Sequence, residues 1–172
     1  FCRLVTLAVP PSPALAESMF SYPQLKRSFY VWFIQQAGLA EAVLVQPGFW
    51  EQLWADWSPG YDAQQDISWL REHVTAESIA GVINPYRATF NPEYADPEAA
   101  REDMAALGAP PIPTLYLHGA NDGGLGAEVV AAAAEHLPAP GSAFEIIDNT
   151  GHFLHLEQPG LIAERICSWL AG

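Results

Sequence analysis

The chain has 172 residues, half of them apolar, with 20 acidic against 7 basic side chains and a formal net charge of -13. That is enough apolar chain for a globular core rather than a disordered segment, and such an acidic surface repels phosphate backbones and anionic membranes, so neither nucleic acid nor membrane is expected as a partner. Cys2 and Cys167 are too few for a disulfide scaffold or a zinc site, and free thiols fit a cytoplasmic protein. No signal peptide and no apolar run of about 20 residues are read.

Arg3 to Val9 is a short apolar, β-rich run closed by Pro10-Pro11 and reads as a buried strand. It stands at the very start, although a buried parallel strand needs neighbours and crossovers. Pro23 to Gln36 has helical spacing and is heavily aromatic (Phe29, Tyr30, Trp32, Phe33), with Gly38 as its stop. Further helices are expected at Leu39–Val45, Phe49–Trp57, Ala63–His73 and Thr75–Ile83, the last broken or restarted at Asn84-Pro85. Pro97 to Leu107 reads as one more helix, with the proline in its first turn.

The pattern then changes. Pro113–His118 (PTLYLH) is a second buried strand, residues 119–126 form a glycine-rich loop, and Glu128–His136 is a helix. Phe144–Ile147 is a third strand, residues 149–155 a loop, and Leu161–Leu170 an amphipathic closing helix. Strand, helix, strand, helix in this order predicts an α/β fold with a parallel sheet. About a hundred residues of helix between the first two strands exceed what a crossover needs and read as an inserted helical cap. The expected division is residues 1–15 and 108–172 as the sheet part, and 16–107 as the cap or lid.

Two residues stand out for chemistry. Asp122, in LYLHGAND, lies just past the C-terminal end of a strand, the edge where ligands gather in open α/β sheets. The plainer alternative is a turn aspartate bonded to its own loop. His152, in DNTGHFLHLEQP, leaves the same edge after the next strand. A carboxylate beside it would fix its tautomer, as in a Ser-His-Asp triad, and the imidazole could then deprotonate water. His155 reads as packing or the start of a helix, and His118 as structural.

GAND followed by TGHFLHLEQP resembles the acid loop and histidine loop of the α/β-hydrolase superfamily, and Arg3–Pro11 resembles the strand before that family's cap. The resemblance implies a partial α/β-hydrolase fold, the last three parallel strands with flanking helices plus the cap. It also implies a catalytic triad in which Asp122 and His152 are the acid and the base. Within the superfamily, RSFYVWFIQQAGLAEAVL is similar to the first cap helix of epoxide hydrolases, with Tyr30, Phe33 and Gln35 in a Y-x-x-F-x-Q pattern. INPYRA is similar to a later cap segment that supplies a second tyrosine before an arginine, here Tyr86 and Arg87. In that family the paired hydroxyls hold the epoxide oxygen as the ring opens. Ala37 and Pro85 depart from the family's usual residues. The plainer alternative for Tyr30 is a cap-core aromatic beside Trp32 and Phe29; for Tyr86 it is packing on Pro85.

No nucleophile elbow of the form G-x-[SD]-x-G occurs. Ser12 and Ser58 precede prolines, and Ser142 follows a glycine without an elbow. The expectation is therefore that the nucleophile lies in an N-terminal half of the same fold that precedes Phe1. This stretch alone would be inactive, and its first strand would expose an unpaired edge. The resemblance implies a small apolar substrate such as an epoxide, and neither cofactor nor metal. Haloalkane or haloacid dehalogenase and serine esterase stay open on the same scaffold, as does a non-catalytic binding protein. A homodimer also stays open. Trp50, Trp54, Trp57 and Trp69 read mostly as packing, one of them lining a cavity or binding halide.

Overall fold

The computed structural model describes residues 2–126 and 130–172, apart from the side chains of residues 103–106. The chain divides into two compact units. The first comprises Phe1–Arg27, Asp56–Tyr61 and Leu107–Gly172, and the second Ser28–Ala55 and Asp62–Ala106.

The first unit is built on a parallel sheet of β1 (Leu4–Leu7), β2 (Thr114–Gly119) and β3 (Ala143–Ile147) in the order β1-β2-β3. Leu4 pairs with Thr114, and Leu115 with Ala143. Every residue of β2 is buried, as befits the central strand of a sheet covered on both faces. Side chains alternate across it. Leu115 and Leu117 join Ala8, Ile147, Leu154 and Ile162 on one face. Tyr116 joins Ala14, Val130 and Ala133 on the other. The first face is covered by the short helix Leu154–Glu157 and the closing helix Pro159–Ala171, the second by α1 (Ser12–Ser18) and a 3-10 turn at Ala133–His136. The helix expected at Glu128–His136 falls partly on residues outside those described; its remainder includes this 3-10 turn.

α1 was not expected. The chain leaves Pro10-Pro11 directly into a helix whose Pro13 stands in the first turn, where no intrahelical N–H is needed. α2 (Tyr22–Arg27) follows in the same unit.

The second unit is helical and lies in the chain between β1 and β2. It contains α3 (Phe29–Ile34), α4 (Leu39–Leu44), α6 (Gln64–His73), α7 (Ile79–Phe90) and α8 (Pro97–Ala106). α5 (Phe49–Trp57) runs out of it into the first unit's Asp56–Tyr61 segment. Two expectations are corrected. The helix predicted over Pro23–Gln36 is two helices, α2 and α3, parted at Ser28, where the chain passes between units. The break expected at Asn84-Pro85 does not occur: Pro85 lies inside α7. An interior proline costs a helix about 3 kcal/mol. Ile79, Ile83 and Arg87, spaced by four, bury one continuous face and offset that cost. Ile79 and Ile83 pack with Ile34, Ala40 and Leu44 as this unit's core. No described helix is long and apolar enough to cross a membrane.

Candidate active site

The loop after β2 and the loop after β3 are joined by main-chain bonds. Ala120 N–H donates to the Ile147 carbonyl at 3.0 Å, and Asn121 N–H to the Thr150 carbonyl at 2.8 Å. This requires close backbone approach. A Cβ on Gly119 would lie 2.0 Å from the Gly151 oxygen, and one on Gly151 would lie 2.5 Å from the Ser58 Cα. Asn149 turns the second loop at φ 58°, a left-handed conformation that its short polar side chain tolerates.

Asp122 and His152 meet here. His152 Nδ1 lies 2.9 Å from Asp122 Oδ2. The carboxylate is fully buried and the imidazole partly exposed. Asp122 Oδ1 accepts the N–H groups of Gly124 at 2.7 Å and Leu125 at 2.9 Å. Hydrogen bonds to a carboxylate oxygen are stronger than neutral ones, so the two N–H groups fix Oδ1 in place. The turn-aspartate alternative is thus also true of Oδ1, while Oδ2 serves the histidine. With Nδ1 occupied as a donor, Nε2 of His152 carries the lone pair and is the ring's basic atom.

A third segment supports both loops. The Trp57 carbonyl accepts the N–H of Gly123 at 3.1 Å and that of His152 at 3.0 Å. Its indole packs on the His152 ring, centroids 5.2 Å apart. Buried Ser58 accepts the Phe153 N–H at 3.0 Å through Oγ. Gly151 N–H is held by the Glu157 carboxylate at 2.9 Å. His155 is exposed and lies within the Leu154–Glu157 helix.

Within the helical unit, Tyr30 on α3 and Tyr86 on α7 are in edge-to-face contact, centroids 5.9 Å apart. Burial raises the Tyr86 phenol above its ordinary value, so it stays a donor. Bonds on either side lock the two helices: Gln35 Nε2 donates to the Tyr86 carbonyl at 3.2 Å, and Arg87 Nε to the Ile34 carbonyl at 2.9 Å. Buried Arg87 also forks onto Glu41 at 2.5 and 3.0 Å, and Glu41 accepts the Gly38 N–H. That guanidinium draws the Glu41 carboxyl down from 4.5 to about 2.

No family model and no curated protein sequence matches the chain. Solved structures do. One is a Klebsiella pneumoniae protein assigned provisionally as an epoxide hydrolase, at 21% identity and TM-score 0.71 over 96% of this chain and 57% of that one. Another is a loop variant of a haloalkane dehalogenase from Bradyrhizobium elkanii, at 17% identity and TM-score 0.67 over 99% of this chain and 59% of that one. The chain has the α/β-hydrolase fold. It spans a little under three fifths of the length of these two hydrolase-fold proteins.

Three contributors to this site carried no sequence signal for the roles they play. Trp57 and Ser58 act largely through a backbone carbonyl and a hydroxyl on partners far away in the chain, Gly123, His152 and Phe153. Gln24, on α2, is fully buried and clamps the acid loop, donating to the Gly124 carbonyl at 2.9 Å and accepting the Gly126 N–H at 3.2 Å. Among the described residues, no group of three or more His, Cys, Asp or Glu side chains is arranged to hold a metal ion.

Proposed function

We propose that the full-length protein is a hydrolase, and specifically an epoxide hydrolase, in which Asp122 and His152 activate water. The observation that carries the reading is the 2.9 Å bond between His152 Nδ1 and a buried carboxylate whose other oxygen is held by two backbone N–H groups. Such a pair keeps Nε2 free to take a proton and stabilises the imidazolium that results. In this reading an aspartate from a segment preceding Phe1 attacks an epoxide carbon. The carbon–oxygen bond breaks, and the leaving oxygen takes a proton from a tyrosine. His152 Nε2 then deprotonates water and the resulting hydroxide adds to the ester carbonyl. The tetrahedral intermediate expels the diol oxygen, which takes the proton of the new carboxyl group. The His152 imidazolium returns its proton by way of solvent to the tyrosinate, restoring carboxylate, imidazole and phenol.

Tyr30 and Tyr86 would supply the two hydroxyls that receive the developing alkoxide. Their contact within one helical unit, and the burial that keeps Tyr86 protonated, support that role. The substrate class follows from the tyrosine pair, since the Asp-His pair alone fits several hydrolytic reactions.

The test is turnover by the full-length protein of styrene oxide, a haloalkane and an aryl ester in parallel. Diol formation without halide release is the expected result. Tyr30→Phe with Tyr86→Phe should lower epoxide turnover at least about 100-fold. Unchanged turnover in the double variant would remove the epoxide reading. Halide release or ester cleavage in place of diol would assign another hydrolase chemistry.

A further inference from the structure

β2 carries Tyr116 and His118 two positions apart, so both project from one face of the sheet. Both are essentially inaccessible to solvent. The Tyr116 hydroxyl lies 2.8 Å from His118 Nδ1. His118 Nε2 makes no hydrogen bond among the described residues and lies 3.8 Å from Asp122 Oδ2. That is the same oxygen that pairs with His152. One buried carboxylate oxygen is therefore flanked by two imidazoles, and the reaction described above uses only one of them.

We infer that His118 is a positioning residue for the acid–histidine pair: its Nε2, oriented by Tyr116, sits behind Asp122 Oδ2 and keeps that oxygen directed at His152. The inference rests on the reading of Asp122 and His152 as the water-activating pair.

The tautomer follows from the partners. Burial, with the Asp122 charge adding to it, raises the Tyr116 phenol far above its ordinary value, so this hydroxyl keeps its proton. When it donates to Nδ1, the ring proton sits on Nε2, on the side of the ring that meets the Leu125 carbonyl and Asp122 Oδ2. The reverse arrangement would aim a bare lone pair at a carboxylate oxygen in a buried site, which is repulsive. Burial lowers the proton affinity of His118, against the pull of Asp122, so the ring is neutral at neutral pH. The groups facing it are Tyr116 from β2, Asp122 and the Leu125 carbonyl from the acid loop, and His152 from the histidine loop. At 3.8 Å the contact is longer than a hydrogen bond. His118 therefore acts as a fixed dipole, and its burial keeps that dipole from being screened.

Removing this dipole leaves the negative charge of Asp122 with His152 as its only facing imidazole. The imidazolium of His152 is then favoured, and neutral His152 appears only at higher pH. The experiment compares His118→Leu, His118→Gln and Tyr116→Phe in the full-length protein. It records the NMR titration of the His152 ring and the pH profiles of kcat and KM. In His118→Leu the His152 midpoint and the acid limb of kcat should both rise by roughly half a pH unit or more, with KM unchanged. Tyr116→Phe, which frees the tautomer, should move them the same way, and His118→Gln, which keeps an N–H donor, should return them toward wild type. A packing role would change thermal stability and leave the midpoints where they are. An unmoved midpoint in folded His118→Leu overturns the inference. Should that variant fail to fold, an unmoved midpoint in Tyr116→Phe does the same. A moved NMR midpoint in a protein that turns over no substrate would keep the His118–Asp122 relation and remove the hydrolase reading.

Discussion

Gly119, the last residue of β2, lies so close to Gly151 that a methyl group on the first would sit 2.0 Å from the carbonyl oxygen of the second. Both positions belong to main chain fixed by hydrogen bonds, so neither can retreat cheaply. Gly119→Ala should destabilise the first unit by about 3 kcal/mol, at the upper end of overpacking costs. Equilibrium denaturation measures it; a midpoint like that of the wild type would mean that the loops can part.

Asp122→Asn should leave the fold nearly intact and lower turnover by the full-length protein by about four orders of magnitude. The asparagine oxygen would keep the N–H groups of Gly124 and Leu125, which now hold Oδ1. Its amide nitrogen would then face His152 Nδ1 and force that atom to accept, which moves the ring proton to Nε2 and abolishes the base. Steady-state kinetics beside thermal melting separates the two effects. A loss of less than tenfold in kcat would remove Asp122 from its assigned role.

The Glu41–Arg87 fork gives the helical unit an acid sensitivity of defined sign. The Glu41 carboxyl is depressed in the folded chain from 4.5 to about 2. Its contribution is therefore complete above the unfolded value and is lost as pH falls from about 4.5 toward 2. Glu41→Gln should flatten the stability curve across that window while lowering the plateau above it. Denaturant midpoints at a series of pH values test this; equal slopes in the two proteins would show that the pair is energetically silent.

Gln24→Leu should cost about 2 kcal/mol, because a buried carbonyl and a buried N–H in the acid loop both lose their partner. Gln24→Glu should cost more: it cannot donate to the Gly124 carbonyl, and it places a charge at a fully buried position. Chemical denaturation ranks the two. A smaller loss in the glutamate variant would mean that water enters beside α2.

What the sequence disclosed was the part written in short range. β2 and β3 were visible as short apolar, β-branched or aromatic runs, and Asp122 and His152 as polar residues just beyond their ends. The parallel character of the sheet followed from the alternation of strands with helices, whereas its order β1-β2-β3 came only with the structure. The parting of α2 from α3 at Ser28 left no such trace, since no proline or glycine stands there and the aromatic spacing runs on. Pro85 misled in the opposite sense, because the burial that keeps α7 whole belongs to tertiary packing. Gln24, Trp57 and Ser58 reach partners far away in the chain and contribute an amide, a main-chain carbonyl and a hydroxyl. No residue pattern announces such contacts. His118 was legible only as a strand residue; its place behind Asp122 depends on the loop folding back over the strand's end.

The shared acceptor at Trp57 has a dynamic corollary. The amides of Gly123 and His152 lean on one oxygen, so an excursion of residues 56–61 would release both in the same event. Their deuterium uptake should then follow a single opening free energy, although one belongs to the acid loop and the other to the histidine loop.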